Sequence, residues 1–201
     1  MKNTLKLLAA GTTLAFASVS AHAADNFVGL TWGETSNNIQ RSGSLKQNLP
    51  DQNFDRVIDN SSTWGLRAGQ QTETGRYYAT YENQSGSSGP FKLRQQNLLG
   101  SYDAFIPVGE RTNLFGGATL GLIKLEQEST GFSRDSDIGY AAGLQAGLLH
   151  QVANTNASVE GGYRYLRSNA STKLTPRGDS NLGSLDLKSS EQFYIGVNYN
   201  F

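Results

Sequence analysis

The sequence predicts an all-β protein: an eight-stranded antiparallel up-and-down transmembrane β-barrel. Three observations carry this. Period-two alternation of side-chain character recurs eight times between Asn26 and Phe201. The connections between these segments alternate in length, tight then long. In each segment one face is apolar and nearly free of charge through its middle, while the other holds Gly, Ser, Thr, Asn, Gln and a few charges.

The first segment, Asn26 to Glu34, sets Val28, Leu30 and Trp32 against Gly29, Thr31 and Gly33. In the second, Ser62 to Glu73, Trp64, Leu66 and Ala68 oppose Gly65, Arg67, Gly69 and Gln71. The third, Arg76 to Asn83, places Tyr77, Ala79 and Tyr81 opposite Tyr78, Thr80 and Glu82. The fourth, Phe91 to Ile106, puts Leu98, Gly100, Tyr102 and Ala104 against Asn97, Leu99, Ser101 and Asp103. The fifth, Thr112 to Glu126, has Leu114, Ala118, Leu120 and Leu122 against Gly117, Thr119 and Gly121.

The sixth, Asp137 to His150, is the cleanest, with Ile138, Tyr140, Ala142, Leu144, Ala146 and Leu148 against Gly139, Ala141, Gly143, Gln145 and Gly147. The seventh, Ala157 to Ser168, sets Val159, Gly161, Tyr163 and Tyr165 against Ser158, Glu160, Gly162 and Arg164. The eighth closes the chain, with Phe193, Ile195, Val197, Tyr199 and Phe201 on one face. The tight connections are 73–76, 107–111 and 151–156. The long ones, rich in Ser, Asn, Gly and Asp, are 35–61, 84–90, 127–136 and 169–186, and these are expected to be the extracellular loops. All four prolines are expected in connections or at a strand start, where no ladder donor is lost.

A soluble lipocalin-like barrel has the same period, so the faces decide. In a soluble barrel the apolar side is enclosed and the outer side carries many Lys and Glu. Here the side opposite the apolar one suits a narrow lumen and would make a poor hydrophilic exterior. Trp32 and Trp64 towards the long loops, and Tyr102 and Phe201 towards the short turns, are placed for interfacial girdles.

Bulk composition agrees. The 201 residues carry no cysteine, which excludes disulfides and thiolate metal sites. Formal charge is zero with no basic stripe, so nucleic acid is not an expected partner. Lys2 and Lys6 supply a positive start, Leu5 to Val19 is largely apolar and Ala21-His22-Ala23 follows, which read as a signal peptide over 1–23, leaving a barrel over 24–201.

The "GGYRYL" stretch, Gly161 to Leu166, and the "YIGVNYNF" ending resemble strands of small eight-stranded outer-membrane barrels of Gram-negative bacteria, the group of the OmpA transmembrane domain and the OmpX/Ail-like proteins. That resemblance implies a terminal strand read by the barrel-assembly machinery, after passage with periplasmic chaperones, with Phe193, Ile195, Val197, Tyr199 and Phe201 as the assembly signal. It implies a monomer in contact with outer-membrane lipid and lipopolysaccharide, and a comparable plug of interior charges. Because the sequence ends at Phe201, the wall anchoring of full-length OmpA is not carried over.

Arg67, Arg76, Glu82, Asp103, Glu160 and Arg164 all take the inward phase and are expected to pair as a lumen charge network, since an isolated buried charge is very costly. Filling the lumen is the expected role of those pairs; a narrow ion or small-solute path is the alternative. An outer-leaflet lipid-modifying enzyme is disfavoured, because the one histidine after residue 23, His150, falls beside a short turn on the lipid-facing phase. No catalytic residue, cofactor or metal site is expected. Asp51, Asp55 and Asp59 read as a short amphipathic turn rather than a cation site. Arg177-Gly178-Asp179 spells an integrin-recognition tripeptide but is also ordinary turn chemistry. Outward loops are where any adhesion, immune-evasion or other host contact would be made.

Overall fold

The computed structural model describes residues 24–48, 61–88, 91–127, 135–174 and 183–201. The strands are β1 (Asp25–Arg41), β2 (Ser61–Gln71), β3 (Gly75–Ser88), β4 (Phe91–Gly109), β5 (Thr112–Gln127), β6 (Asp135–Gln151), β7 (Ala157–Ser168), β8 (Ser171–Leu174) and β9 (Gly183–Asn200), with one short helix, α1 (Gly43–Asn48), after β1. From β1 to β7 each strand pairs antiparallel with the next, β7 pairs with β9, and β9 returns to pair with β1. The short β8 also pairs with β9, beyond the end of β7, so β7 and β8 together form one interrupted stave. The result is a closed barrel of eight staves. Closure matters because a bilayer offers no water to satisfy a free strand edge.

The register fixes the barrel's geometry. Following ladder partners from Val28 through Ala68, Ala79, Gly100, Leu120, Ala142, Arg167 and Ser189 returns to β1 at Asn38, ten residues above the start. With eight staves and ordinary strand spacing this offset corresponds to a tilt of roughly 40° and an interior that side chains can fill.

The apolar faces named from the sequence point outward. Leu30, Leu120, Leu144, Phe193 and Ile195 are each more than 60% exposed, and no Asp, Glu, Lys or Arg takes an outward position between them. Trp32 and Trp64 face each other across β1 and β2 at the upper edge of this belt, and Trp32 Nε1 donates to Ser62 Oγ at 2.7 Å. Immediately above them the outward positions turn polar: Glu34, Asn38 and Gln40 on β1, Ser85 on β3, Arg94 on β4, Lys188 and Glu191 on β9.

The four long connections are shorter than the sequence suggests. β1 runs to Arg41 and is followed by α1, so 35–61 is not all loop; β3 runs to Ser88, which takes most of 84–90; β5 and β6 reach Gln127 and Asp135; β8 and the start of β9 occupy parts of 169–186. The reason is physical. Above the lipid both faces of a strand can be polar, so apolar alternation stops while the hydrogen-bond ladder continues. Asp51, Asp55, Asp59, the tripeptide Arg177-Gly178-Asp179, the segment 1–23 and Pro50, Pro90 and Pro176 lie outside the described residues. Pro107 sits within β4, next to a register irregularity before Gly109, the setting in which a strand tolerates a missing donor.

Above the belt the sidedness inverts. Ile39, Ile123, Leu125, Leu166, Leu185 and Leu187 are buried inside the upper barrel while the outer wall carries the polar residues just named. On β9 the inversion is made by a bulge. The pairing with β1 passes from Ser189 to Leu187, skipping Lys188, and this extra residue reverses the phase so that Leu185 and Leu187 turn inward although Phe193 to Phe201 turn outward.

Candidate functional site

Inside the belt, alternating positions of β2, β3, β4, β6, β7 and β9 converge on one polar network. The structure places Arg67, Arg76, Glu82, Asp103, Glu160 and Arg164 all within it, each no more than 5% exposed. Three guanidiniums meet three carboxylates, so the formal charge of the network is zero.

The lower part centres on Glu160. Its Oε1 accepts from Arg67 Nη1 at 2.5 Å and its Oε2 from Arg76 Nη1 at 2.5 Å, with Asn198 Nδ2 adding a third donor at 3.0 Å. Arg76 Nε also donates to Asp103 Oδ2 at 2.9 Å. Higher up, Arg164 Nη1 donates to Glu82 Oε1 at 2.6 Å, and Asn97 Nδ2 donates to the other oxygen of that carboxylate at 3.1 Å. Gln145 joins the two parts. Its Nε2 donates to Asp103 Oδ1 at 2.5 Å, and its Oε1 accepts from Arg164 Nε at 2.8 Å. An amide suits this place because it has both a donor and an acceptor end and brings no charge.

Aromatic rings complete the surroundings of the cations. The Arg76 guanidinium lies 4.9 Å from the Phe115 ring centroid and 5.0 Å from that of Tyr78, with Phe105 and Phe27 just beyond. Tyr78 also faces Arg67, at 5.2 Å, and its hydroxyl donates to Asp103 Oδ2 at 3.1 Å. Tyr194 stands between Arg67 at 5.4 Å and Arg164 at 5.5 Å. Desolvated cation–π contacts of this kind offset part of the cost of burying a guanidinium.

The interior is therefore less uniformly small and polar than alternation implies. Phe105, Phe115, Leu149 and Tyr194 form an apolar cluster, and Phe27 is buried near the same end as the short turns. With the buried aliphatic residues of the upper barrel, the charges are enclosed between an apolar floor and a partly apolar roof. Sequence reasoning had Tyr78, Gln145 and Tyr194 on the inward phase but missed their place in the network. The available signal was phase: each lies on the face of its strand opposite the apolar one.

The terminal strand presents Phe193, Ile195, Val197, Tyr199 and Phe201 to the outside and pairs along its length with β1. One more pair of hydrogen bonds, Asn26 N to Phe201 O at 3.1 Å and Phe201 N to Asn26 O at 2.8 Å, carries the seam to the last residue. His150 is exposed at the turn end of β6, where its Nδ1 pairs with Thr112 Oγ1 at 2.9 Å. Nothing resembling a nucleophile–base–acid set gathers there among the described residues.

Outer membrane protein H (OprH) from P. aeruginosa, solved in solution in DHPC micelles, is 70% identical to this chain over 88% of this chain and 99% of that one, with a TM-score of 0.57. The chain belongs to the OprH family. Like its OprH relative it is an outer-membrane β-barrel protein, located in the outer membrane of Gram-negative bacteria. The fold recurs at much lower identity: Neisserial surface protein A (NspA) is 16% identical over 90% of this chain and all of that one, with a TM-score of 0.59. The attachment invasion locus protein Ail of Yersinia pestis is 11% identical over the same shares, with a TM-score of 0.53. The expected group of small eight-stranded barrels is thus the right one. The chain matches no protein-family model and no curated protein.

Proposed function

We propose that this OprH-family barrel is a non-conducting, non-enzymatic membrane protein that works through its extracellular end, as a structural or surface-interaction element of adhesion or immune-evasion type. The observation that carries the reading is the enclosed, charge-neutral network: every one of its six ionised groups is spent on an internal partner, which leaves none to bind or pass a solute. The lipid-facing belt is apolar and featureless in charge, so specific contacts fall to the polar outer walls and the loops above them. Outer-membrane lipid and lipopolysaccharide are the immediate neighbours of those walls. Ail, named for attachment and invasion, is a precedent for the fold and no more than that.

Because the sheet closes on itself, a single chain has no strand edge to share, which supports a monomer. The assembly machinery and its chaperones are partners during biogenesis, acting on the outward alternation that ends at Phe201. Planar-bilayer recording tests the first part. The purified barrel is expected to give no steady single-channel steps; steps that vanish on Glu160 or Arg164 substitution make it a narrow pore instead. Binding of whole cells displaying the protein to host cells, compared with cells lacking it, tests the second part; equal binding removes the adhesive role.

A further inference from the structure

The terminal strand contributes one aromatic side chain to the lumen. Within the belt, the inward positions on β9 are Gln192, Tyr194, Gly196, Asn198 and Asn200. Tyr194 is 4% exposed, and its ladder partners on both sides are glycines, Gly162 on β7 and Gly33 on β1. A Cβ at Gly162 would stand 2.8 Å from Tyr194 Cζ, and one at Gly33 would stand 2.8 Å from Tyr194 Cα. At Gly162 the space is taken by the ring itself, while at Gly33 a side chain would meet the β9 backbone, with Phe193 O nearest. The guanidiniums of Arg67 on β2 and Arg164 on β7 lie 5.4 and 5.5 Å from its centroid, and it belongs to one buried cluster with Phe105, Phe115 and Leu149 of β4, β5 and β6. The hydroxyl of Tyr194 has no hydrogen-bond partner among the described residues, so the ring itself makes these contacts.

We propose that Tyr194 is the closure latch of the barrel. β9 is the last strand made, and it must find both β7 and β1. Every other group that Tyr194 touches comes from strands earlier in the chain, so its ring enters a socket already formed by two guanidiniums and three apolar side chains. Entry couples the β1–β9 seam to the packed interior: the seam zips in register only when the ring is seated. The inward Tyr194 thus adds a second determinant of assembly to the outward alternation, one read by the barrel's own interior.

The test follows closure directly. The natural chain has no cysteine, and Leu30 and Val197 are ladder partners across the seam, both outward. Leu30→Cys with Val197→Cys therefore reports closure as a disulfide formed while urea-denatured chains refold into dilauroylphosphatidylcholine vesicles. In this background Tyr194→Phe is expected to close within twofold of the parent, and Tyr194→Leu about tenfold more slowly, from loss of two cation–π contacts and the ring's packing. Gly162→Val is expected to close slowly by blocking the socket, and combining it with Tyr194→Leu to close faster than Gly162→Val alone. If Tyr194→Leu fails to fold altogether, the decision rests on Gly162→Val alone, for which normal closure overturns the proposal. Tyr194→Leu closing at the parent rate, Tyr194→Phe as slow as Tyr194→Leu, or a double variant no faster than Gly162→Val also overturns it.

Discussion

Arg76 and Glu160 stand 84 residues apart in the chain and meet inside the barrel at 2.5 Å. Both side chains are fully enclosed. Neither is tolerable there without the other, since the desolvation of each is offset only by its partners.

Removing one partner from this group is expected to be severe. Glu160→Gln leaves Arg67 and Arg76 with one carboxylate, Asp103, between them, and is expected to cost about 3–5 kcal/mol. The temperature at which the unboiled band converts to the unfolded mobility in detergent gels gives the measurement. A variant that converts with the parent removes the claim that Glu160 is the hub.

Arg164 and Glu82 form the simpler pair, and replacing both is expected to be gentler than replacing one. Arg164→Met with Glu82→Met leaves no orphaned charge, so the double variant should be more stable than Arg164→Met alone. Urea titration of the two variants beside the parent in lipid vesicles decides it. A double variant less stable than the single would show that Asn97 and Gln145 hold these charges more strongly than the pair holds itself.

The level of the membrane is itself testable. Leu144→Arg puts a charge in the belt and is expected to cost about 2–4 kcal/mol, whereas Asn38→Arg, outward but above Trp32, should cost about 0–1 kcal/mol. Folding free energies in lipid vesicles give both numbers. Equal costs would place Asn38 in hydrocarbon and lift the outer interface well above the two tryptophans.

Inversion of sidedness predicts a second contrast. Leu187 is buried in the upper barrel, so Leu187→Ala leaves a cavity and is expected to cost about 2–4 kcal/mol. Leu120 faces lipid, which flows into any space left by truncation, so Leu120→Ala should cost less. Unfolding midpoints of the two variants in one detergent make the comparison; a costlier Leu120→Ala would refute the inverted core.

Neighbouring glycines on β5 should differ sharply. A Cβ at Gly116 would meet nothing within 4 Å, while one at Gly117 would stand 2.1 Å from Tyr102 O. Gly116→Val is therefore expected to be neutral or mildly stabilising, because it adds a strand-favouring side chain on the lipid face, and Gly117→Val strongly destabilising. Heat-modifiable mobility of the pair reads the outcome, and equal loss from both would mean that the outward face of β5 is covered.

Much of this is legible in the sequence. The parity of Val28, Leu30 and Trp32 and of Phe193 to Phe201 follows from a pleat in which neighbours point to opposite sides, and hydrocarbon admits only one kind of side chain. The same parity put Arg67, Arg76, Glu82, Asp103, Glu160 and Arg164 inside. Where the lipid ends, that constraint ends too: Ser36 to Arg41 alternate in nothing that sequence can show, yet the ladder with β9 continues through them.

The sequence by itself determined the closed sheet, the side that meets lipid and the six charges of the network, because those depend on period and phase alone. Only the tertiary structure decided which charge meets which, that Gln145 links the two groups, and that the bulge at Lys188 turns Leu185 and Leu187 inward. Those facts depend on register offsets accumulated around eight staves, and no local pattern encodes a sum taken over the whole circuit.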